Sequence, residues 1–244
     1  MDLPGARWRG SWPRDWEVRR VAATGSTNAD LLVAAHAGAP DRLVLVADHQ
    51  TAGAGRLGRI WDAPPGTNLL VSLLLRSIPA ELHQLTQRVG LAALAAVAEI
   101  SGREARLKWP NDVLLDGRKL AGILAQAASP PGSSSVEAVV VGLGLNVGWA
   151  PPEAACLGTG TPRAVLGAVL RAFDALPSDP DQLHQRYLDA LDTIGRRVRV
   201  ELGAGSFEGA ATGVERSGTL IVSTESGARH VTTGDVIHLR VTNP

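Results

Sequence analysis

Lys108-Trp109-Pro110-Asn111-Asp112-Val113-Leu114-Leu115-Asp116-Gly117-Arg118-Lys119-Leu120-Ala121-Gly122-Ile123-Leu124 contains both lysines of a 244-residue chain whose other cationic side chains are arginines. Keeping an ammonium twice within twelve positions, where arginine serves everywhere else, points to sites that need a compact point charge. Asp116-Gly117 reads as a tight turn and Leu120 to Leu124 as an apolar strand, so Lys119 is expected at a strand mouth, projecting into a cleft. Trp109-Pro110-Asn111-Asp112 reads as a rigid turn that presents an amide and a carboxylate. A carboxylate there suits a magnesium ion whose remaining ligands are water and phosphate oxygens.

Outward from this segment, helical periodicity covers residues 81–100 and stops at Ser101-Gly102, and apolar strands are expected over 43–47 and 68–75. A strand from Val21 runs into Gly25-Ser26-Thr27-Asn28, and a helix follows over 29–35 with a serine or threonine cap. Residues 121–128 and 136–147 read as two strands joined by the loop Ser129-Pro130-Pro131-Gly132-Ser133-Ser134-Ser135, and helices are expected over 163–176 and 181–194. Past Gly195 the pattern changes to short strands over 198–202, 219–224, 229–233 and 236–241. The expected division is therefore residues 1–194 and 195–244. Trp8, Trp12 and Trp16 lie on an amino-terminal arm that Gly10 and Pro13 keep from being a helix, and the arm is expected to pack on the body.

Twenty-four Lys plus Arg balance twenty-four Asp plus Glu, so no global field draws the chain to nucleic acid or to an anionic membrane. The small carboxy-terminal segment, with six arginines against five acids, gives no support to nucleic-acid binding either. The single Cys156 cannot form an internal disulfide and fits a reducing cytoplasm. No run is long and apolar enough to span a bilayer, and the amino terminus lacks the pattern of a secretion signal. The six histidines show no metal-ligand spacing, and no serine, histidine and acid are grouped as a triad in sequence.

Thr51-Ala52-Gly53-Ala54-Gly55-Arg56-Leu57-Gly58-Arg59-Ile60-Trp61 has dinucleotide-type glycine spacing, but Trp61-Asp62-Ala63-Pro64-Pro65-Gly66 cannot continue the helix that such a fingerprint requires. It reads instead as a glycine loop whose Arg56 and Arg59 suit phosphate oxygens and whose Trp61 can cover a flat ring. A solvated loop with idle arginines is the plainer alternative. Taken singly, Ser26 and Thr27 could simply cap a helix, Gln50 could simply meet water, and Asn146 could simply close a strand after Gly142-Leu143-Gly144-Leu145. Their occurrence beside an arginine loop and two lysines favours a nucleotide site.

In this order, Gly25-Ser26-Thr27-Asn28, Gln50 to Trp61, Lys108-Trp109-Pro110-Asn111-Asp112, Arg118 to Leu124 and Gly142 to Asn146 resemble biotin protein ligases over about residues 20 to 150, and the tail from about 195 resembles their small carboxy-terminal domain. The resemblance implies an α/β catalytic domain of the class II aminoacyl-tRNA synthetase type over 1–194 and an SH3-like β-barrel over 195–244. It also implies ATP-dependent activation of biotin to biotinyl-5′-adenylate, followed by transfer to a lysine of a biotin carboxyl carrier protein. Arg56 and Lys119 would be catalytic. Ser26, Thr27, Asn28, Gln50, Gly53, Ala54, Gly55, Arg56, Lys119 and Gly122 would bind biotin. Arg56, Arg59, Trp61, Asn111, Lys119 and Asn146 would bind ATP and the adenylate, and Asp112 would serve Mg²⁺. The arm does not match the DNA-binding domain of the family's repressor-type members. A cytoplasmic monomer or homodimer is expected, with no nucleic-acid or membrane partner.

Many members carry arginine where this chain has Ala54, so looser retention of the adenylate is expected. The alternatives are a lipoate or octanoate ligase of the same fold, which the Gly-Arg-Leu-Gly-Arg loop and Lys-Trp-Pro-Asn-Asp disfavour, and a noncatalytic biotin or nucleotide sensor.

Overall fold

The computed structural model describes residues 4–239 apart from 131, 133, 134 and 204. Within them the chain runs β1 (Ala6–Arg7), β2 (Glu17–Thr24), α1 (Thr27–His36), β3 (Leu43–Gln50), β4 (Leu69–Leu75), α2 (His83–Ser101), β5 (Ala105–Lys108), β6 (Asp112–Leu115), β7 (Arg118–Ala128), β8 (Ala138–Leu145), α3 (Pro162–Ala175) and α4 (Pro180–Ala190). Five more strands follow: β9 (Arg197–Leu202), β10 (Gly205–Val214), β11 (Leu220–Thr224), β12 (Gly227–Val231) and β13 (Asp235–His238). The sheet of the larger part has the order β1-β2-β3-β4-β8-β7-β6-β5. Only β2 and β3 pair in parallel, joined through α1, and every other neighbour is antiparallel.

β4 is Leu-Leu-Val-Ser-Leu-Leu-Leu, and all seven residues are buried, as expected of a central strand covered on both faces. Side chains alternate between those faces. On one face Val44, Val46, Leu73, Val139, Val141 and Leu143 join a core shared with residues of α2 and α3. On the other, Leu43, Leu45, Leu74, Ala138 and Val140 pack with Leu31, Ala34 and Ala35 of α1. Along that second face, near the amino end of α1, the same alternation brings up Ser72, Gly142, Gly144 and Gly122 instead of aliphatic side chains. A buried Val or Leu stabilises by about 1.5–3 kcal/mol over an exposed one. Forgoing that contribution at four neighbouring strand positions leaves a recess where a core would otherwise close.

α2 stops at Gly102, whose φ of 66° ends the helix in the left-handed region. Thr161 caps α3 by accepting from the Ala164 amide at 3.2 Å, and Asp179 caps α4 by accepting from Gln182 at 2.8 Å, each with proline next in line. The carboxy-terminal sheet has the order β12-β11-β10-β9-β13. Its Val198, Val200, Leu220 and Val222 belong to the same core as α2. Trp109 pins the two sheets together: its Nε1 donates to the Gly218 carbonyl at 2.8 Å and its backbone N–H to Thr193 Oγ1 at 3.0 Å. The arm packs on the body as expected, with β1 paired to β2, Trp16 buried edge-on against Phe173, and Trp16 Nε1 donating to Asp174 at 3.0 Å.

Four local expectations need correction. α4 ends at Ala190 instead of 194, because Leu191 bridges to Leu107 and Thr193 turns to hold Trp109. β10 was not expected, since Gly205-Ser206-Phe207-Glu208-Gly209-Ala210-Ala211-Thr212-Gly213-Val214 has weak strand propensity, yet neighbours on both sides pair with it. Ser26 occupies the cap position of α1, but its side chain makes no capping bond, and the first helical N–H, that of Thr27, is met by Gln50 Oε1. The expected strand over 236–241 ends at His238, and residues 240 and 241 lie outside the described residues.

Candidate active site

A cleft of about 430 Å³ opens over the recess. Every site residue expected from the sequence lines it except Gly53. Gly53 lies behind the cleft wall, where a β-carbon would overlap the Trp61 carbonyl and crowd the Gln50 amide.

The inner end is neutral and densely bonded. Gln50 Oε1 accepts from the Thr27 backbone N–H at 2.8 Å and lies 3.0 Å from Thr27 Oγ1. Thr27 Oγ1 is 2.7 Å from Ser72 Oγ, and Ser72 donates to Asn28 Oδ1 at 2.6 Å. Asn28 Nδ2 donates to the Leu124 carbonyl at 3.1 Å and to Gln126 Oε1 at 2.8 Å. Gly142 makes room for this arrangement, since a β-carbon there would overlap the Asn28 amide. Trp61 lies over Gly144 and Gly122, which face each other across β7 and β8, and a β-carbon on Gly144 would collide with the indole.

The outer end is charged. Lys119 Nζ sits 2.7 Å from Asp112 Oδ1 and 5.6 Å from the Trp61 ring centroid. This contact across the β6–β7 hairpin realises the expected projection of Lys119 from a strand mouth. Burial lowers the proton affinity of Lys108, an effect that Asp112 opposes and Lys119 and Arg59 reinforce. Arg56 is lowered in the same direction by burial, with Asp112 again opposing. No helix starts at the loop glycines: Arg56–Gly58 is a single 3₁₀ turn, in keeping with the rejection of a dinucleotide fingerprint.

Loop residues also reach the carboxy-terminal sheet. Arg59 pairs with Asp235, and Arg56 Nη2 donates to Thr233 Oγ1 at 3.3 Å. Glu201, Asp235, Val236 and Ile237 consequently line the cleft, and none of them was singled out from sequence. Ser72 was also missed, although a lone hydroxyl in a fully apolar strand is a readable signal. Asn146 lines the cleft with its amide engaged at both ends, receiving from Asn68 Nδ2 at 3.2 Å and donating to the Ala155 carbonyl at 3.0 Å. Asn111 Nδ2 donates to the Ile123 carbonyl at 2.8 Å. Among the described residues no group of three His, Cys, Asp or Glu could cage a metal ion, and no helix is long and apolar enough to cross a membrane.

An antiparallel-rich α/β sheet with a cleft that is neutral and hydrogen-bonding at one end and cationic at the other defines a domain able to bring an uncharged ligand head and a polyanion together. Residues 22–146 match the biotin/lipoate A/B protein ligase family, and residues 193–239 match the biotin protein ligase C terminal domain. The chain is 40% identical to the biotin–[acetyl-CoA-carboxylase] ligase of Mycobacterium tuberculosis, over 97% of this chain and 91% of that one. It is 34% identical to the ligase of the same name from Paracoccus denitrificans, over 88% of this chain and 98% of that one. The structure of biotin protein ligase from Aquifex aeolicus in complex with biotin and ATP superposes with a TM-score of 0.74 at 27% identity, covering 91% of this chain and 98% of that chain. This protein belongs to the biotin/lipoate A/B protein ligase family. Its fold is accordingly the class II aminoacyl-tRNA synthetase-like catalytic architecture followed by a small SH3-like domain, as the sequence led us to expect.

Proposed function

We propose that this protein uses ATP to convert biotin to biotinyl-5′-adenylate and then transfers the biotinyl group to a lysine of a biotin carboxyl carrier protein of acetyl-CoA carboxylase or a related carboxylase. The carrying observation is that one cleft joins the Gln50–Thr27–Asn28 hydrogen-bonding end to the Arg56–Arg59–Lys119 cationic end. Its relatives' names and the biotin and ATP complex of the Aquifex enzyme support the same reading.

In the first step a carboxylate oxygen of biotin attacks the α-phosphorus, forming a C–O–P bond as the bond to pyrophosphate breaks. Two anions must approach, so cations that offset their repulsion and meet the charge developing on the phosphoryl oxygens supply the principal catalysis. Lys119 and Arg56 take that role, with Arg59 reaching the outer phosphates and Trp61 lying against the adenine. The ion pair with Asp112 keeps the Lys119 ammonium aimed across the cleft until a phosphate oxygen replaces the carboxylate. In the second step the carrier amine attacks the activated carbonyl carbon, the C–O bond to AMP breaks, and the nitrogen gives up a proton. Loop 51–61 folded over the adenylate keeps water from the mixed anhydride. Ala54, in the part of this loop that lines the cleft, offers only a methyl group toward the ligand, which favours looser retention.

Asp112, a carboxylate lining the cleft, would share a magnesium ion that arrives with the nucleotide, since such an ion needs only one or two protein oxygens beyond phosphate and water. When bound, that ion would neutralise phosphate charge. The division of labour follows residues 1–194 for activation and 195–244 for support of the cleft's outer wall. All the residues named come from one copy of the chain, so a monomer or a homodimer serves equally. The reaction calls for no nucleic acid and suits the cytoplasm.

The test is pyrophosphate release from MgATP with biotin, octanoate or lipoate, with mass spectrometry of the acyl-adenylate. Biotin-dependent release with a biotinyl-adenylate peak is expected, followed by transfer to carrier protein. Turnover with another acid alone would replace the substrate, and binding without release would replace the enzyme with a sensor.

A further inference from the structure

The hydrogen-bonded chain at the inner end is one proton short. The Gln50 amide is fixed because Oε1 accepts from the Thr27 backbone N–H, which can only donate. The Asn28 amide is fixed because Nδ2 donates to the Leu124 carbonyl, which can only accept. Between Gln50 Oε1 and Asn28 Oδ1 lie three oxygen–oxygen contacts, at 3.0, 2.7 and 2.6 Å. Thr27 and Ser72 supply one hydroxyl proton each, so one contact must go without.

The distances decide which. The 2.6 Å contact takes the Ser72 proton onto Asn28, and the 2.7 Å contact takes the Thr27 proton onto Ser72. The longest, at 3.0 Å between Thr27 Oγ1 and Gln50 Oε1, is left with lone pairs on both sides. Thr27, Gln50 and Ser72 all line the cleft, and Ser72 is the most deeply buried of the three, with no exposure against 3% for Thr27.

We propose that Ser72 is a positioning residue for substrate selection: by drawing the Thr27 proton inward, it keeps Gln50 Oε1 and Thr27 Oγ1 as a paired acceptor that demands an N–H donor from the ligand head. A cyclic urea supplies that donor, while an alkyl chain or a dithiolane leaves two buried acceptors unmatched. The inference rests on the biotin-ligase reading and assigns a selectivity device within it. Removing the Ser72 hydroxyl frees the Thr27 proton to turn onto Gln50, which fills the acceptor internally.

The experiment compares wild type and Ser72→Ala in biotin-dependent pyrophosphate release, using biotin and its two cyclic-carbamate analogues, in each of which a ring oxygen replaces one ureido N–H. In wild type, one analogue should lose about tenfold to a hundredfold in kcat/KM, the usual cost of failing to satisfy a site built for a donor. In Ser72→Ala, the biotin KM should rise about tenfold with the ATP KM little moved, and the penalty on that analogue should shrink to about threefold or less. A merely structural role for Ser72 predicts the same analogue penalty in both proteins, and that result would overturn the assignment. Ser72→Cys, which keeps the volume and weakens the donor, runs the same comparison if the alanine variant melts early. Failure of the wild type to turn over biotin removes the parent reading and this inference with it. Turnover with equal penalties removes this inference alone.

Discussion

The two ends of the cleft are built by different means. The inner end hangs on strand positions and backbone groups: Ser72 from the centre of β4, Asn28 anchored to the Leu124 carbonyl, and Gln50 anchored to the Thr27 amide. The outer end is assembled from a loop whose Arg59 is 60% exposed, a hairpin ion pair, and a wall borrowed from β13. Neutral recognition is therefore prepared before ligand arrives, whereas the cations we propose for phosphate are parked on internal partners that must be exchanged. A preformed neutral pocket orders little on binding, and charges already paired to Asp112 and Asp235 are kept apart until stronger anions replace those carboxylates.

The largest expected effect tests the charged end. Lys119→Ala should lower the adenylation rate about a hundredfold to a thousandfold, the scale on which a single transition-state donor acts. Its thermal unfolding should stay close to wild type, because a partly exposed ion pair with Asp112 adds little stability. Pyrophosphate release within tenfold of wild type would remove the division of roles between the two ends.

Acid should act first on the junction that supports the outer end. Burial holds His83 and His238 neutral in the fold, pushing each down to about 4. In the unfolded chain these imidazoles take up protons near 6.5. Between these values the unfolded state binds more protons, so stability is fully present above about 6.5 and falls as pH drops toward 4. For His83 the loss is on the order of 2–3 kcal/mol, and it is less for His238, which lies nearer solvent. Melting temperature against pH for wild type and His83→Gln measures it. The variant should show a shallower decline over that window, and parallel curves would assign the acid sensitivity elsewhere.

A paired glycine substitution separates the ends directly. Gly142→Ala pushes on the Asn28 amide and should raise the biotin KM about tenfold or more, leaving the ATP KM nearly unchanged. Gly144→Ala pushes on the Trp61 indole and should raise the ATP KM more than the biotin KM. Equal effects of both substitutions on both constants would mean that the floor acts as one unit.

From sequence the cations of the outer end stood out first, whereas Ser26, Thr27 and Gln50 at the inner end gained meaning only beside them. Apolar runs located β3, β4 and β8, and the glycines of β8 together with Ser26, Thr27, Asn28 and Gln50 carried motif spacing that survives in one dimension. Ser72 escaped notice because a serine inside Leu-Leu-Val-Ser-Leu-Leu-Leu has no partner nearby in sequence. Its partner Asn28 lies forty-four residues away. Asp112 and Lys119 were both singled out, yet their pairing depends on the irregular register of β6 against β7 between Val113 and Leu114, which no pattern announces. The wall formed by Glu201, Asp235, Val236 and Ile237 comes from packing between two sheets, and the glycine- and alanine-rich β10 at the centre of the second sheet is held by neighbours more than by its own propensity.

The smallest expected effect concerns that wall. Arg59 cannot hold Asp235 and an ATP phosphate with the same guanidinium edge, so the pair competes with nucleotide. Because Arg59 is 60% exposed and Asp235 27%, the competition is screened and amounts to no more than about 1 kcal/mol. Asp235→Asn should then lower the ATP KM by about twofold to fivefold, with the biotin KM unmoved and the gain shrinking as salt is raised. A raised ATP KM would show the opposite, that the contact holds loop 51–61 in its working position. The carboxy-terminal domain would then be a scaffold for the phosphate end, not a competitor within it.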